Sequence, residues 1–287
     1  MTTVPLPPVL IVGLGLIGGS VGLRLHEGGV LVRGVSRSQE TLDRALERGA
    51  IQGGSLDLAR EVPQAGLILV AAPTRTSIRL LTEAGALARP GTILTDACSS
   101  KQEVVAAMDA LSPGVAAVGG HPMAGRELAG IDAADAHLFE GATWVLTQTS
   151  RSDDESEAAC ETLAMLCGAA PLWVEPREHD DAVAAISHLP LLAAAALVLA
   201  AEDSRSELVW RLASSGFRDT TRVAAGEPEM GADLALTNSA ALHEAATLFS
   251  GHLTTLLDAA RTGDKSGIQR LLAQAAARRR GMYGGRG

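Results

Sequence analysis

Aromatic side chains are almost missing: Phe, Trp and Tyr together make up 2% of the 287 residues, while hydrophobic residues reach 47%. The apolar mass is therefore Ala, Leu and Val, which suits helices packed closely through small side chains. Cysteine is scarce as well. Cys98, Cys160 and Cys167 are an odd set without a CxxC pair, which excludes a disulfide-stapled scaffold and fits a reducing compartment. Cys160 and Cys167 lie seven apart, on one face of a helix, where core packing is expected rather than redox work or metal binding. Basic residues are in the minority, 24 against 33 acidic ones for a net charge of −9, so a long grip on a phosphate backbone is excluded and nucleic acid is not expected as a partner. No basic segment precedes the first apolar run, and Gly13, Gly15 and Gly18 break that run, so no secretory signal is expected and the cytoplasm is the expected location. The longest apolar stretch, Leu189 to Ala201, contains Pro190 and falls short of the about 20 residues a bilayer requires, so no membrane partner is expected.

What is present divides in two. Val9 to Val12, Val30 to Val35, Leu67 to Ala71 and Thr92 to Thr95 are short apolar runs that read as strands, with helical spacing at Leu16 to Glu27, at Gln39 to Arg48 and in the later gaps. Val115 to Val118, Thr143 to Thr147 and Leu172 to Val174 add strands, with a helix over Asp153 to Leu166. Alternation of this kind predicts an α/β N-terminal domain, a Rossmann-type doubly wound parallel sheet covered on both faces. Beyond Pro176 the strand signal stops. Arg177 to Ala277 is Ala- and Leu-rich with helical spacing, interrupted at Ser214 to Gly216, Gly226 to Pro228 and Gly263-Asp264. The prediction is residues 1–176 as a dinucleotide-binding domain and 177–287 as an all-α C-terminal domain that binds substrate and dimerises. Its apolar content exceeds what a small bundle buries alone, so a homodimer is expected.

Gly13-Leu14-Gly15-Leu16-Ile17-Gly18 is a GxGxxG between a predicted strand and a predicted helix, the context that dinucleotide binding requires. Gly13 permits the tight turn, Gly15 lets backbone approach a pyrophosphate, and Gly18 lets helix and strand pack; the helix N-terminus offers free N–H groups to an anion. At the end of the second strand, where an NAD site usually carries an acid, stands Ser36-Arg37-Ser38. A guanidinium and two hydroxyls can pair with a 2′-phosphate, which favours NADP, with NAD as the alternative. A solvated loop residue also accounts for Arg37, and Glu40 is the nearest acid. Ala72 and Pro73, where the third strand run ends, complete the cofactor set with Leu16 and Ile17. Two motifs are set aside. Gly18 to Gly22 fits GxSxG, but Ser20 falls inside a helix and not on a turn; His243-Glu244 opens an HExxH whose second histidine is Thr247, so no catalytic metal is expected.

His121, in Gly119-Gly120-His121-Pro122-Met123-Ala124-Gly125, follows a predicted strand, where open α/β sheets place ligand-contacting loops. A neutral imidazole there can take a proton from a substrate hydroxyl while hydride leaves the same carbon. By spacing alone, a turn histidine held by its backbone neighbours fits equally well.

The motifs taken together resemble the prephenate and arogenate dehydrogenase family of tyrosine biosynthesis. The resemblance spans nearly the whole chain, through GLGLIGGS at Gly13–Ser20, TDACSSK at Thr95–Lys101, GGHPMAG at Gly119–Gly125, GID at Gly130–Asp132, HDDAVAAISHLP at His179–Pro190 and SSGFRDTTRV at Ser214–Val223. The Ser36–Ser38 segment looks most like the NADP-using arogenate dehydrogenases. This resemblance implies oxidative decarboxylation of a cyclohexadienol, with hydride leaving C4, CO₂ leaving the ring and the ring becoming aromatic. It implies that His121 takes the C4 hydroxyl proton, that Ser99 orients that hydroxyl and the histidine, and that Arg222 binds a substrate carboxylate. Lys101, His179 and His188 are further substrate-binding candidates. An N-cap accounts for Ser99, a surface helix residue for Arg222 and a packed histidine for His179 or His188 equally well without the family. Where prephenate-preferring members often carry a second histidine after the SHLP proline this chain has Leu191, which favours arogenate, with prephenate as the alternative. Pro190 is expected to kink its helix. The length leaves no room for a fused mutase or long regulatory extension, so control by a separate domain is not expected. Two other functions remain open at this point: a different Rossmann-plus-helical dehydrogenase or imine reductase of a small acid, and a non-catalytic NADP-binding dimer.

Overall fold

The computed structural model describes residues 5–126 and 128–283. The first half runs β1 (Val9–Val12), α1 (Leu16–Glu27), β2 (Val32–Val35), α2 (Gln39–Glu47), β3 (Gly53–Ser55), α3 (Leu58–Glu61), β4 (Leu67–Val70), α4 (Thr74–Leu87), β5 (Ile93–Asp96), α5 (Gln102–Asp109), β6 (Ala116–Pro122), β7 (Thr143–Thr147), α6 (Asp154–Leu166) and β8 (Ala170–Trp173). Its eight strands form one sheet in the order β3-β2-β1-β4-β5-β6-β7-β8. The chain leaves β1 in one direction and returns to β4 on its other side, so the crevice where a dinucleotide binds opens beyond Val12 and Val70.

The expected doubly wound parallel sheet is present, with three differences from the sequence reading. β7 is antiparallel to β6 and β8 is parallel to β7, so the last two strands run against the other six. The link from β6 to β7 contains only the 3₁₀ turn Ile131–Ala133 and no crossover helix among the described residues, and a parallel pair would need one. β3 was not anticipated. Its Gly-Gly-Ser has no strand propensity, and it exists because β2 pairs with it along an edge. β6 continues four residues past Val118, because β7 supplies partners as far as Pro122, so His121 stands on a strand and not in the loop after it.

Burial on both faces explains the short, unbroken apolar strands. Val9, Ile11, Leu67 and Leu69 point to one face, against Val21 and Leu25 of α1 and Leu163 of α6. Leu10, Val12, Ile68 and Val70 point to the other, against Leu81 of α4 and Met108 of α5. The three cysteines are free and buried, as expected of small apolar residues; burial pushes the Cys160 and Cys167 thiols up to about 12 and the Cys98 thiol higher still.

After β8 the described chain is helical: α7 (Pro176–Val183), α8 (Leu189–Asp203), α9 (Glu207–Leu212), α10 (Ser215–Thr221), α11 (Pro228–Thr237), α12 (Ser239–Thr262) and α13 (Lys265–Tyr283). The irregularity expected at Pro190 takes the form of a π-helical turn, Ala184–His188, that joins α7 to α8 without ending the helix. Pro176 to Asp203 is consequently one 28-residue helical run, long and apolar enough by length and composition to cross a membrane, which corrects the shorter stretch read from sequence. It docks on the sheet domain through His179, Asp180 and His188, all buried.

Two carboxylates of the helical half cap helices of the other half. α4 and α5 have no side-chain cap from their own N-cap residues, Pro73 and Lys101. Asp233 of α11 accepts the Arg75 N–H at 2.9 Å, and Asp180 of α7 accepts those of Lys101 and Gln102 at 2.7 and 2.9 Å. Each satisfies donors that a helix start would otherwise leave open, and so fastens the seam between the halves. The Ser100 hydroxyl adds a bond to Thr237 at 2.9 Å.

Candidate active site

The glycine turn between β1 and α1 divides its tasks as the motif requires. Gly13 has φ +104°, and a Cβ there would lie 2.3 Å from the Ala71 carbonyl oxygen, so the turn and the end of β4 approach as only glycine allows. A Cβ on Gly18 would meet the Gly13 oxygen at 1.9 Å, which makes Gly18 the close-packing position. Gly15 differs: nothing lies within 4 Å of its missing Cβ, and no side chain caps the first turn of α1, where Leu16 and Ile17 stand. Open space above uncapped N–H groups is what a pyrophosphate needs, so these residues fit a dinucleotide. Ala72 and Pro73 lead from β4 into α4, facing this turn across Ala71, and the Ala72 carbonyl accepts the Ser77 hydroxyl.

Ser36, Arg37 and Ser38 follow β2. Ser38 caps α2 by accepting the Thr41 N–H at 3.3 Å, and the Ser36 hydroxyl accepts the Ser38 N–H at 3.2 Å, so both serines shape the turn. Arg37 is exposed, and among the described residues no hydrogen bond or ion pair engages its guanidinium. Ser20 is a helix residue, as expected; its hydroxyl accepts the Asp135 N–H.

His121 is positioned from below by a buried ion pair. Asp96, at the end of β5, accepts the Gly120 N–H at 2.8 Å and binds the Lys101 ammonium, and Lys101 also donates to the Gly120 carbonyl at 2.6 Å. Both polar groups of the residue preceding His121 are thereby held. Lys101, a substrate-binding candidate from the sequence, is fully buried under the strand, with its ammonium on Asp96 and the Gly120 carbonyl.

Beside His121 runs a second chain of bonds. Its Nδ1 lies 2.9 Å from Nε2 of His179, and Nδ1 of His179 lies 2.8 Å from the Asp180 carboxylate. The two rings meet edge to face with centroids 5.1 Å apart. His179 is buried with both nitrogens taken, so it stands behind His121 and has no nitrogen left for the substrate contact expected of it. Burial, then the neighbouring His179, Lys101 and His188, hold the His121 pKa well below the usual histidine value. Burial alone would raise the Asp180 carboxyl, but its bonds from His179, Gln102 and Lys101 outweigh that and hold it below the usual range. Asp180 escaped the sequence reading although it adjoins His179 in the quoted motif; an acid beside a candidate histidine was the available signal.

His188, at the end of the π turn, is also buried. Its Nδ1 lies 3.2 Å from the Asn238 amide, which also donates to the Asp180 main-chain carbonyl, and its Nε2 has no partner of full hydrogen-bond geometry among the described residues. Burial pushes its pKa down, with Asp180 and the Ser99 main chain acting the other way. Ser99 is half-buried between β5 and α5, and its hydroxyl makes no hydrogen bond among the described residues; the cap of α5 comes from Asp180 and not from Ser99. Arg222, exposed, opens the 3₁₀ turn Arg222–Ala225 after α10. The structure thus gathers His121, His179, His188 and Lys101 around Asp96 and Asp180.

Comparison with known proteins points the same way. Residues 21–170 match the prephenate dehydrogenase nucleotide-binding domain and residues 175–274 the prephenate dehydrogenase dimerization domain. A prephenate dehydrogenase of Bacillus subtilis is 36% identical over 80% of this chain, which spans 64% of that protein's length. The crystal structure of Synechocystis arogenate dehydrogenase is 34% identical, covers 95% of this chain and 98% of its own, and superposes with a TM-score of 0.79. Prephenate dehydrogenase from A. aeolicus, in complex with hydroxyphenyl propionate and NAD⁺, is 25% identical, covers 98% of this chain and 100% of its own, and reaches 0.91. With a glycine turn shaped for a dinucleotide, a strand histidine whose surroundings lower its pKa and both halves matched in order, the chain belongs to the prephenate dehydrogenase family.

Proposed function

We propose that the protein is an NADP-dependent dehydrogenase that oxidatively decarboxylates arogenate, with prephenate as a second substrate, and acts as a cytoplasmic homodimer. The observation that carries this reading is the placement of His121: half-buried on β6, held through Gly120 by Lys101 and Asp96, and biased by its surroundings toward the neutral ring that a general base requires. A bound nicotinamide would supply the hydride acceptor, and Gly13, Gly15, Leu16, Ile17, Gly18, Ala72 and Pro73 would hold its dinucleotide.

His121 then takes the proton of the ring hydroxyl as the C4–H bond gives up its hydride and a carbonyl forms. The ring carboxylate leaves as CO₂, its electron pair makes the ring aromatic, and the phenolate oxygen recovers the proton from His121. Ser99, with an uncommitted hydroxyl, would orient the substrate alcohol, and Arg222 would bind a substrate carboxylate with bidentate donors. His188 would offer its Nε2, which has no partner of full hydrogen-bond geometry among the described residues. Leu191, packed beside Gly231, provides no donor for a keto side chain and so penalises the ammonium of arogenate less. The unengaged guanidinium of Arg37, with no acid in its turn, supports NADP over NAD.

The deciding assay is initial rates with arogenate and prephenate, each with NAD⁺ and NADP⁺, for the wild type, His121→Asn and Arg37→Asp. We expect His121→Asn to lower turnover by about 10² or more with cofactor affinity nearly intact, and Arg37→Asp to weaken NADP⁺ use. Equal rates with both cofactors in the wild type would overturn the Arg37 assignment, and turnover of 3-hydroxy acids without arogenate would favour another dehydrogenase of this fold.

A further inference from the structure

We infer that Asp180, acting through His179, sets the tautomer of His121 and thereby makes its Nε2 the proton acceptor. This rests on His121 being the base and deepens that reading. The argument follows donors and acceptors along the chain of bonds. Ionised Asp180 can only accept, so the 2.8 Å contact with Nδ1 of His179 places a hydrogen on that nitrogen. With His179 as the neutral ring, its Nε2 then carries only a lone pair. The 2.9 Å contact between that nitrogen and Nδ1 of His121 therefore takes its hydrogen from His121. A neutral His121 with its hydrogen on Nδ1 has a free lone pair on Nε2, the nitrogen with no hydrogen-bond partner among the described residues.

Asp180 is suited to start this chain because its acceptor state is enforced from the other half of the molecule. The N–H groups of Lys101 and Gln102, at the start of α5, both point into its carboxylate, and Asn238 holds its main-chain carbonyl. A hydrogen on that carboxylate would face one of three donors already in place. Docking of the helical half on α5 and selection of the reactive nitrogen are consequently the same contact. When His121 accepts a proton at Nε2, its Nδ1–H remains directed at His179, and the positive charge formed in the partly buried ring is balanced by Asp180 through the intervening imidazole. No net charge has to move along the chain. His179 and Asp180 are positioning residues in this scheme, since neither reaches the reacting atoms.

The test combines a spectrum with kinetics. Protein labelled with ¹⁵N at histidine is examined by long-range ¹H–¹⁵N correlation at neutral pH, with His121 assigned by its loss in His121→Asn. We expect wild-type His121 to show a protonated Nδ1 and an unprotonated Nε2; the reverse pattern overturns the proposal without any variant of Asp180. Asp180→Asn, whose amide can donate to His179, is expected to turn His121 toward the Nε2–H form and to lower kcat by about 10² with little change in KM. His179→Gln is the second variant, should Asp180→Asn not fold, with the same expectation for kcat and for the His121 spectrum. Wild-type kcat and an unchanged His121 spectrum in either variant, while His121→Asn is inactive, overturn the relay alone. An active His121→Asn overturns the reading on which it rests.

Discussion

Nζ of Lys101 lies 2.6 Å from the carbonyl oxygen of Gly120, so a lysine at the foot of one helix fixes the peptide that carries the candidate base. Neither Lys101 nor its partner Asp96 is exposed. A buried pair contributes little net stability, but removing one member leaves the other charge without compensation. Lys101→Met is therefore expected to cost about 3–5 kcal/mol in denaturant unfolding, and Lys101→Met combined with Asp96→Asn to recover part of that loss. An unaltered unfolding midpoint in the single variant would remove the clamp from the account of His121.

The glycine turn separates folding from binding. Gly15 has φ −85° and free space at its missing Cβ, so Gly15→Ala is expected to keep the wild-type melting temperature while weakening dinucleotide binding about tenfold or more, about 1.4 kcal/mol. Gly18→Ala forces a methyl against the Gly13 oxygen and is expected to lose about 1–3 kcal/mol of stability along with the cofactor. Thermal unfolding beside a fluorescence titration with NADPH checks both; unchanged affinity in Gly15→Ala would mean that the pyrophosphate lies elsewhere.

The direction of the His121 shift fixes the sign of a pH effect. A histidine whose folded pKa is depressed favours the neutral ring, so its contribution is fully present above the unfolded value of about 6.5 and is lost as pH falls through the lower folded value. Protonation also removes the base. The acid limb of kcat/KM should therefore fall below pH about 6.5. A limb centred above that value in the pH–rate profile would contradict the electrostatics of Lys101, His179 and His188 around the ring.

Leu199 of α8 and Leu248 of α12 are 65% and 69% exposed, on the half that matches a dimerization domain. Large apolar residues left open on neighbouring helices fit burial against a second copy of the chain. Leu199→Asp with Leu248→Asp is expected to shift the protein from dimer to monomer in sedimentation velocity. A wild type that sediments as a monomer would count against the homodimer.

Much of the sheet half was legible because its signals are local. A GxGxxG between an apolar run and a helix needs Gly13, Gly15 and Gly18 in fixed steric roles, and the open space at Gly15 against the crowding at Gly18 matches those roles. Strands buried on both faces read as unbroken apolar runs, which located β1, β4 and β5 to within a residue or so. β3 was illegible because Gly-Gly-Ser has no preference of its own and takes its conformation from β2. The reversed strands were illegible because an apolar run has no direction, and the sense of pairing is set by the connection. Lys101 was misplaced for a related reason: a lysine is a surface residue by default, and only Asp96 and Gly120, brought under it by β5 and β6, make an interior position tolerable.

The sequence by itself determined the two-part organisation and the dinucleotide turn, since each rests on residue type and short-range spacing that the backbone must obey wherever the segment lies, and its motifs taken together singled out His121, which spacing alone left open. Only the tertiary structure decided what surrounds that histidine. Asp180 and His179 lie 59 and 58 positions further along the chain, on α7, and their contact with His121 and α5 exists because the helical half docks there. A hydrogen bond across such a separation depends on how two independently patterned halves pack, and neither local propensity nor spacing encodes that arrangement.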